Sequence, residues 1–162
     1  MSCFLLVTLF YIIQFSCGAY SFSSSTLPHI KTVAIPLFQD QTSEFGIKEE
    51  LTDQVIDEFT RDNTLRITDR RSADSLLEGT IIRVDDRAGA FTSAEEVENI
   101  QIFITVKVKY QDLKKRKTIW EEEITQWGTF DPAEGPESRQ NGIEEAVEKI
   151  ASEILNKSVS GW

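Results

Sequence analysis

Residues 100–110 alternate without a break. Ile102, Ile104, Val106, Val108 and Tyr110 fall on one face of an extended chain, and Gln101, Phe103, Thr105, Lys107 and Lys109 on the other. Period-two alternation of that length predicts a half-buried strand. A tight basic turn over residues 111–117 then brings back a partner strand at 118–127. Residues 76–84 (LLEGTIIRV) predict another strand, with Gly79 as a candidate bulge, and residues 65–68 a short one. At 30–38 (IKTVAIPLF) Val33, Ile35 and Leu37 share a face, while Pro36 points to a sheet edge or a strand end.

Two segments follow a helical period instead. Over residues 46–62, Ile47, Leu51, Val55, Ile56 and Phe59 recur in steps of three and four. Lys48, Glu49, Glu50, Asp53, Asp57 and Glu58 take the solvent side. Over 142–155, Ile143, Val147, Ile150, Ile154 and Leu155 form a second stripe with an acidic back. Residues 85–96 are polar and contain Gly, which predicts a mobile hairpin loop, and DPAEGP at 131–136 predicts a break. The order β-α-β-β-β-β-α predicts an α+β two-layer sandwich: a mixed sheet of four to five strands with two amphipathic helices on one face. At 162 residues the chain fits one domain, placed at 30–162.

The first sixteen residues break both patterns. Residues 4–15 (FLLVTLFYIIQF) carry no charge and are almost wholly apolar. About a dozen such residues are too few to span a bilayer, which takes roughly 20, and match the apolar region of a signal peptide. Residues 1–16 are therefore expected to be a signal peptide, although only the amino terminus supplies positive charge there. Both cysteines, Cys3 and Cys17, lie in this region, so the rest of the chain can hold no disulfide framework and no cysteine metal site. Cys17 follows the apolar run directly, where a lipoprotein signal places its acylated cysteine; an ordinary cleavage site nearby is the alternative. The Ser-rich residues 17–29 form a tether.

Charge narrows the function classes. The formal net charge of -10 argues against nucleic-acid binding, which needs cations to neutralise phosphates. Within that acidic chain, Lys107, Lys109, Lys114, Lys115, Arg116 and Lys117 gather six of the 17 basic residues, opposed locally only by Asp112. Clustered Lys and Arg form charge-assisted hydrogen bonds to phosphate. They also serve as a solvated tip that protects a sheet edge. His29 is the only histidine, so no His-based triad or His-rich metal site exists. Asp85 and Asp86 are adjacent, cannot face one another on a strand, and are expected to start a turn. No Gly-rich phosphate loop is present, and no enzyme, cofactor or metal is expected. Trp120 and Trp127, seven positions apart, should face opposite ways, one to the core and one to a surface. Phe91 in the polar loop is either a partner contact or folded back on its own sheet.

The sequence resembles the LptE family of lipopolysaccharide-assembly lipoproteins. The similarity runs through CGAYSF at 17–22, LPHIKTVAIPLFQDQT at 27–42, EELTDQVIDEF at 49–59, ADSLLEGTI at 73–81 and TIWEEEI at 118–124. Asp40 stands where the family usually has Asn. The resemblance implies a non-enzymatic outer-membrane lipoprotein, acylated at Cys17 and facing the periplasm. It further implies that the chain plugs the LptD β-barrel, helps it assemble, and contacts lipopolysaccharide on its way to the outer leaflet. Lys107, Lys109, Lys114, Lys115, Arg116 and Lys117 are the candidate contact for lipopolysaccharide or the partner. A different envelope lipoprotein, such as a peptidoglycan-synthase activator or a pilotin-like or secretion-pore subunit, would share the VAIPLF opening and the tether.

Overall fold

In the computed structural model, residues 27–91 and 97–160 are described. The apolar leader, Cys17 and most of the tether lie outside the described residues, as does the side chain of Phe91. Six strands and two long helices follow in the order β1 (Thr32–Ala34), β2 (Gln39–Asp40), α1 (Ile47–Asp62), β3 (Arg66–Ile67), β4 (Ser75–Phe91), β5 (Val97–Asp112), β6 (Lys117–Phe130), a 3-10 turn at Pro132–Glu134, and α2 (Pro136–Val159). Strands β4, β5 and β6 form an antiparallel meander, and β1, β2 and β3 add to it in parallel, giving one mixed sheet in the order β3-β1-β4-β5-β6 with β2 also on β4. The α+β sandwich expected from the pattern is what forms, with one strand more than the four to five expected.

That extra strand comes from Pro36. Proline has no N–H for the ladder, so the chain leaves β4 after Ala34 and rejoins it at Gln39. The shared face expected for Val33, Ile35 and Leu37 is broken as a result: Val33 is fully buried and Leu37 is 55 % exposed. Gly79 does not mark a bulge; the register shifts of β4 against β5 fall between Ile81 and Arg83 and again between Ala88 and Phe91. It leaves room for the Phe38 ring, which a Cβ at that position would overlap.

The alternation on β5 divides the sheet into two faces. Ile102, Ile104, Val106, Val108 and Tyr110 are buried beneath the helices with Ile124 and Trp120 of β6. Ile47, Leu51, Val55 and Phe59 of α1, and Ile143, Val147, Ile150 and Ile154 of α2, complete this layer. At about 25 cal/mol per Å² of apolar surface, each such large side chain contributes on the order of 2 kcal/mol. Among the described residues the other face carries no helix. Trp120 packs on Tyr110 with ring centroids 6.1 Å apart, whereas Trp127 is 39 % exposed; the opposite placement of the two tryptophans follows from strand parity.

Two expectations need correction. Residues 85–91 are not loop but the continuation of β4, paired with β5 as far as Phe91 and Val97. Asp85 and Asp86 are therefore strand residues facing opposite ways, not the start of a turn. The polar side chains there are satisfied by tertiary partners: Asp86 accepts from Arg139, and the Arg87 guanidinium lies 4.3 Å from the Phe103 ring centroid. The DPAEGP break is also shorter than expected. Gly135, at φ 88°, turns the chain, and Pro136 opens α2, where its missing N–H is not needed. The helix thereby gains its first six residues ahead of the apolar stripe. Its backbone closes on β6 where Gly128 meets the Gly142 carbonyl, and a side chain at Gly128 would collide with that oxygen.

Candidate functional site

The six basic residues singled out above do not form one patch. Lys107 and Lys109 project from the open face of the sheet, opposite the buried Val106 and Val108. On that face the strand register places Lys109 between Glu78 and Glu121, and Lys107 between Thr80 and Glu123. Lys107 Nζ lies 2.9 Å from Glu121 Oε1. The hydrogen bond and charge of Glu121 raise the Lys107 pKa, and Lys107 in turn holds Glu121 below the usual carboxylate range. Both groups are open to solvent, which screens the pair, so Lys107 can exchange its partner at little cost.

These side chains line a groove of about 500 Å³ with Pro36, Leu37, Arg70 and Glu78. Three cations, Arg70, Lys107 and Lys109, thus stand beside the exposed Leu37. Arg70 was not singled out in the sequence. It reaches the groove because the turn before β4 folds it over the strand, where its guanidinium lies 3.4 Å from Glu78. No local pattern encodes that contact.

Lys114, Lys115 and Arg116 belong to the turn of the β5–β6 hairpin, and Lys117 opens β6. Asp112 holds the turn together. It is 2 % exposed and accepts from His29 Nε2 at 2.6 Å and the Lys115 amide at 2.8 Å. Burial pushes its carboxyl up, and the Lys115 amide and His29 outweigh that, leaving it below the ordinary value. Lys114 Nζ pairs with Asp74 at 2.7 Å and donates to the His29 carbonyl at 3.3 Å. Lys114 and the Lys31 amide hold the Asp74 carboxyl down at about 2. His29, read from the sequence as tether, is therefore packed against the hairpin, and Leu27 packs on the core. Among the described residues no acid pairs with Lys115, Arg116 or Lys117. Nor do those residues hold a cluster able to bind a metal, or a helix long and apolar enough to cross a membrane.

A family model, LptE: Lipopolysaccharide-assembly, matches residues 30–158, nearly the whole described fold. The chain belongs to the LptE family. Members of this family are non-enzymatic lipoproteins. No curated protein sequence matches the chain. Solved structures share the fold at low identity. A hypothetical protein from Chlamydia trachomatis aligns with a TM-score of 0.58 and 12% identity, covering 79% of this chain and 95% of that one. The rare lipoprotein B from Shewanella oneidensis aligns with a TM-score of 0.50 and 17% identity over 78% and 92% of the two chains. A putative lipoprotein from Caulobacter crescentus gives 0.51 and 17% over 75% and 87%.

Within the LptE frame, the segments that carried the resemblance take clear structural roles. IKTVAIPLFQD supplies β1 and β2, EELTDQVIDEF is α1, ADSLLEGTI opens β4 and TIWEEEI is the first half of β6. The Thr52 hydroxyl accepts the Phe38 amide at 3.0 Å, joining the first two segments.

Proposed function

We propose that this LptE-family chain is an outer-membrane lipoprotein: residues 1–16 a signal peptide, Cys17 the acylated anchor facing the periplasm, residues 17–29 a tether, and residues 30–162 the working domain. Its role is to seat in and help assemble an LptD-type β-barrel and to contact lipopolysaccharide during delivery to the outer leaflet. The observation that carries the proposal is the family match over residues 30–158. The chemistry of the open face supports it. Lipid A joins phosphates to acyl chains, and the groove sets Arg70, Lys107 and Lys109 beside Pro36 and Leu37. Lys114, Lys115, Arg116 and Lys117 offer a second cationic contact at the hairpin turn. The role requires no catalytic residue.

The test is a tagged pull-down from detergent-solubilised membranes with mass spectrometry, alongside metabolic palmitate labelling. A stoichiometric β-barrel that survives salt, together with label lost on Cys17→Ser, is the expected result. Recovery of a peptidoglycan synthase or a secretin instead overturns the barrel reading in favour of another envelope lipoprotein. Charge reversal at Lys107 and Lys109 should weaken lipopolysaccharide binding several-fold; unchanged binding returns the groove to a solvated face.

A further inference from the structure

The groove on the open face is lined by both signs of charge. Across β4, β5 and β6 one row of the register reads Glu78, Lys109, Glu121, and the next reads Thr80, Lys107, Glu123. The Arg70 guanidinium lies 3.4 Å from Glu78, so three cations meet three carboxylates on this patch. Glu78 and Glu121 line the groove itself, beside the exposed Leu37. Neither carboxylate is buried: their side chains are 41 % and 38 % exposed, so water screens the ion pairs they make. A neutral side chain would serve the sheet as well at either position. A groove that bound only phosphate would also hold it better without them. A phosphomonoester carries a charge of about -1.5 to -2 at neutral pH, and each carboxylate repels it.

We infer that the groove selects a zwitterionic group, a phosphoryl carrying a short ammonium arm such as phosphoethanolamine, over a bare phosphate; this deepens, and rests on, the reading of the groove as a lipopolysaccharide contact. The exchange of partners carries it. Lys107 Nζ lies 2.9 Å from Glu121 Oε1. A bare phosphate that takes Lys107 leaves Glu121 unpaired beside a second anion. A phosphoryl with an ammonium arm replaces both halves of that ion pair. Its oxygens accept from Lys107 and Lys109, and its ammonium donates to Glu121 or, on the other side of Lys109, to Glu78. Every charge then keeps a partner, and the bare ligand alone meets the repulsion. The dimensions agree. Lys107 and Lys109 stand two residues apart on β5, about 7 Å, within reach of one phosphoryl group for side chains of this length. Glu78 and Glu121 lie one strand away on either side, about 4.8 Å, which a two-carbon arm spans. Pro36 and Leu37 give the lipid behind the phosphoryl an apolar wall.

The full chain, purified from membranes in detergent, is titrated with two forms of one lipopolysaccharide. In one the lipid A phosphates carry phosphoethanolamine, and in the other they are free. The decorated form should bind several-fold more tightly. In E78Q/E121Q, whose thermal melt should stay unchanged, the decorated form should weaken several-fold while the free-phosphate form gains, so the preference is lost or reversed. Equal binding of the two forms by the unsubstituted chain overturns the selection and leaves the lipopolysaccharide contact standing. So does an E78Q/E121Q variant that tightens on both forms alike. Binding of neither form overturns the contact and the selection with it. A competitor separates the two sources of this headgroup chemistry. Displacement of the decorated form by dihexanoyl phosphatidylethanolamine, and not by dihexanoyl phosphatidylglycerol, upholds the zwitterionic site and extends it to phospholipid. Displacement by neither, with the preference between the two forms intact, upholds it for lipopolysaccharide alone.

Discussion

The two ends of the sheet are held together by opposite means. At the hairpin end, buried or half-buried acids, Asp112 and Asp74, organise the backbone and leave the cations outside. At the other end one cation, Arg139, draws in carboxylates from two other segments: it grips Glu44 at 2.8 and 2.9 Å and Asp86 at 3.1 Å. The side-chain hydrogen bond from Arg139 lowers the Glu44 pKa. A charge that is buried in a network is structural; one left exposed around such a network is available for binding. By that criterion Asp112, Asp74 and Arg139 maintain the fold, and Lys115, Arg116 and Lys117 are free to meet a ligand.

The largest expected effect tests the Arg139 end, where helix and strand touch through backbone. Gly128→Val should cost about 3 kcal/mol or more, read from the urea midpoint, because neither the Gly142 carbonyl nor the helix carrying it can yield cheaply. A shift under 1 kcal/mol would mean that α2 is loosely seated. At the hairpin end, Asp112→Ala should cost about 2–3 kcal/mol by leaving the Lys115 amide and His29 without their acceptor. Asp112→Asn, which can still accept, should cost less, and equal losses in the two variants would deny the acceptor role. Arg139→Met should cost about 1–2 kcal/mol, since its groups are only partly withdrawn from water. It should also return the Glu44 pKa toward its ordinary value in an NMR titration.

Acid offers a finer test of the hairpin end. Asp74 titrates at about 2 in the fold against 3.8 without its partners. A depressed carboxylate stabilises above its unfolded pKa and loses that contribution as pH falls through the folded one. Its share should therefore be complete above about pH 4 and fade toward pH 2. Lys114→Met should raise the Asp74 pKa toward 3.8, and an unmoved value would remove the ion pair from the account. The smallest effect belongs to the exposed cations. Reversing Lys115, Arg116 and Lys117 together should change stability by less than about 0.5 kcal/mol at each site, read from the urea midpoint. A large loss of stability would move these residues to the structural side of the comparison.

The core layer was legible because burial on one face leaves a periodic trace. The steps of three and four in α1, the alternation on β5 and the parity of Trp120 and Trp127 each follow from the geometry of a single element. The six candidate cations were legible only as a cluster along the chain. Extended strands carry Lys107 and Lys109 onto the open face, and the following turn takes the rest to the end of the sheet, so one apparent site is two. Arg70 in the groove, His29 against the turn and Arg139 across Glu44 and Asp86 left no local signal. Their partners lie 8, 83, 95 and 53 residues away.

By itself the sequence determined the apolar faces of β5 and of the two helices, where those helices and the central strands lie, and the family to which their order belongs. These depend on the period of one element and on apolar area, both of which are local. Only the tertiary structure decided how far β4 and α2 extend, which acids neutralise which cations, and which charges remain exposed. Polar pairing joins segments distant along the chain, and its energy depends on distance and burial that exist only once the sheet and helices have come together.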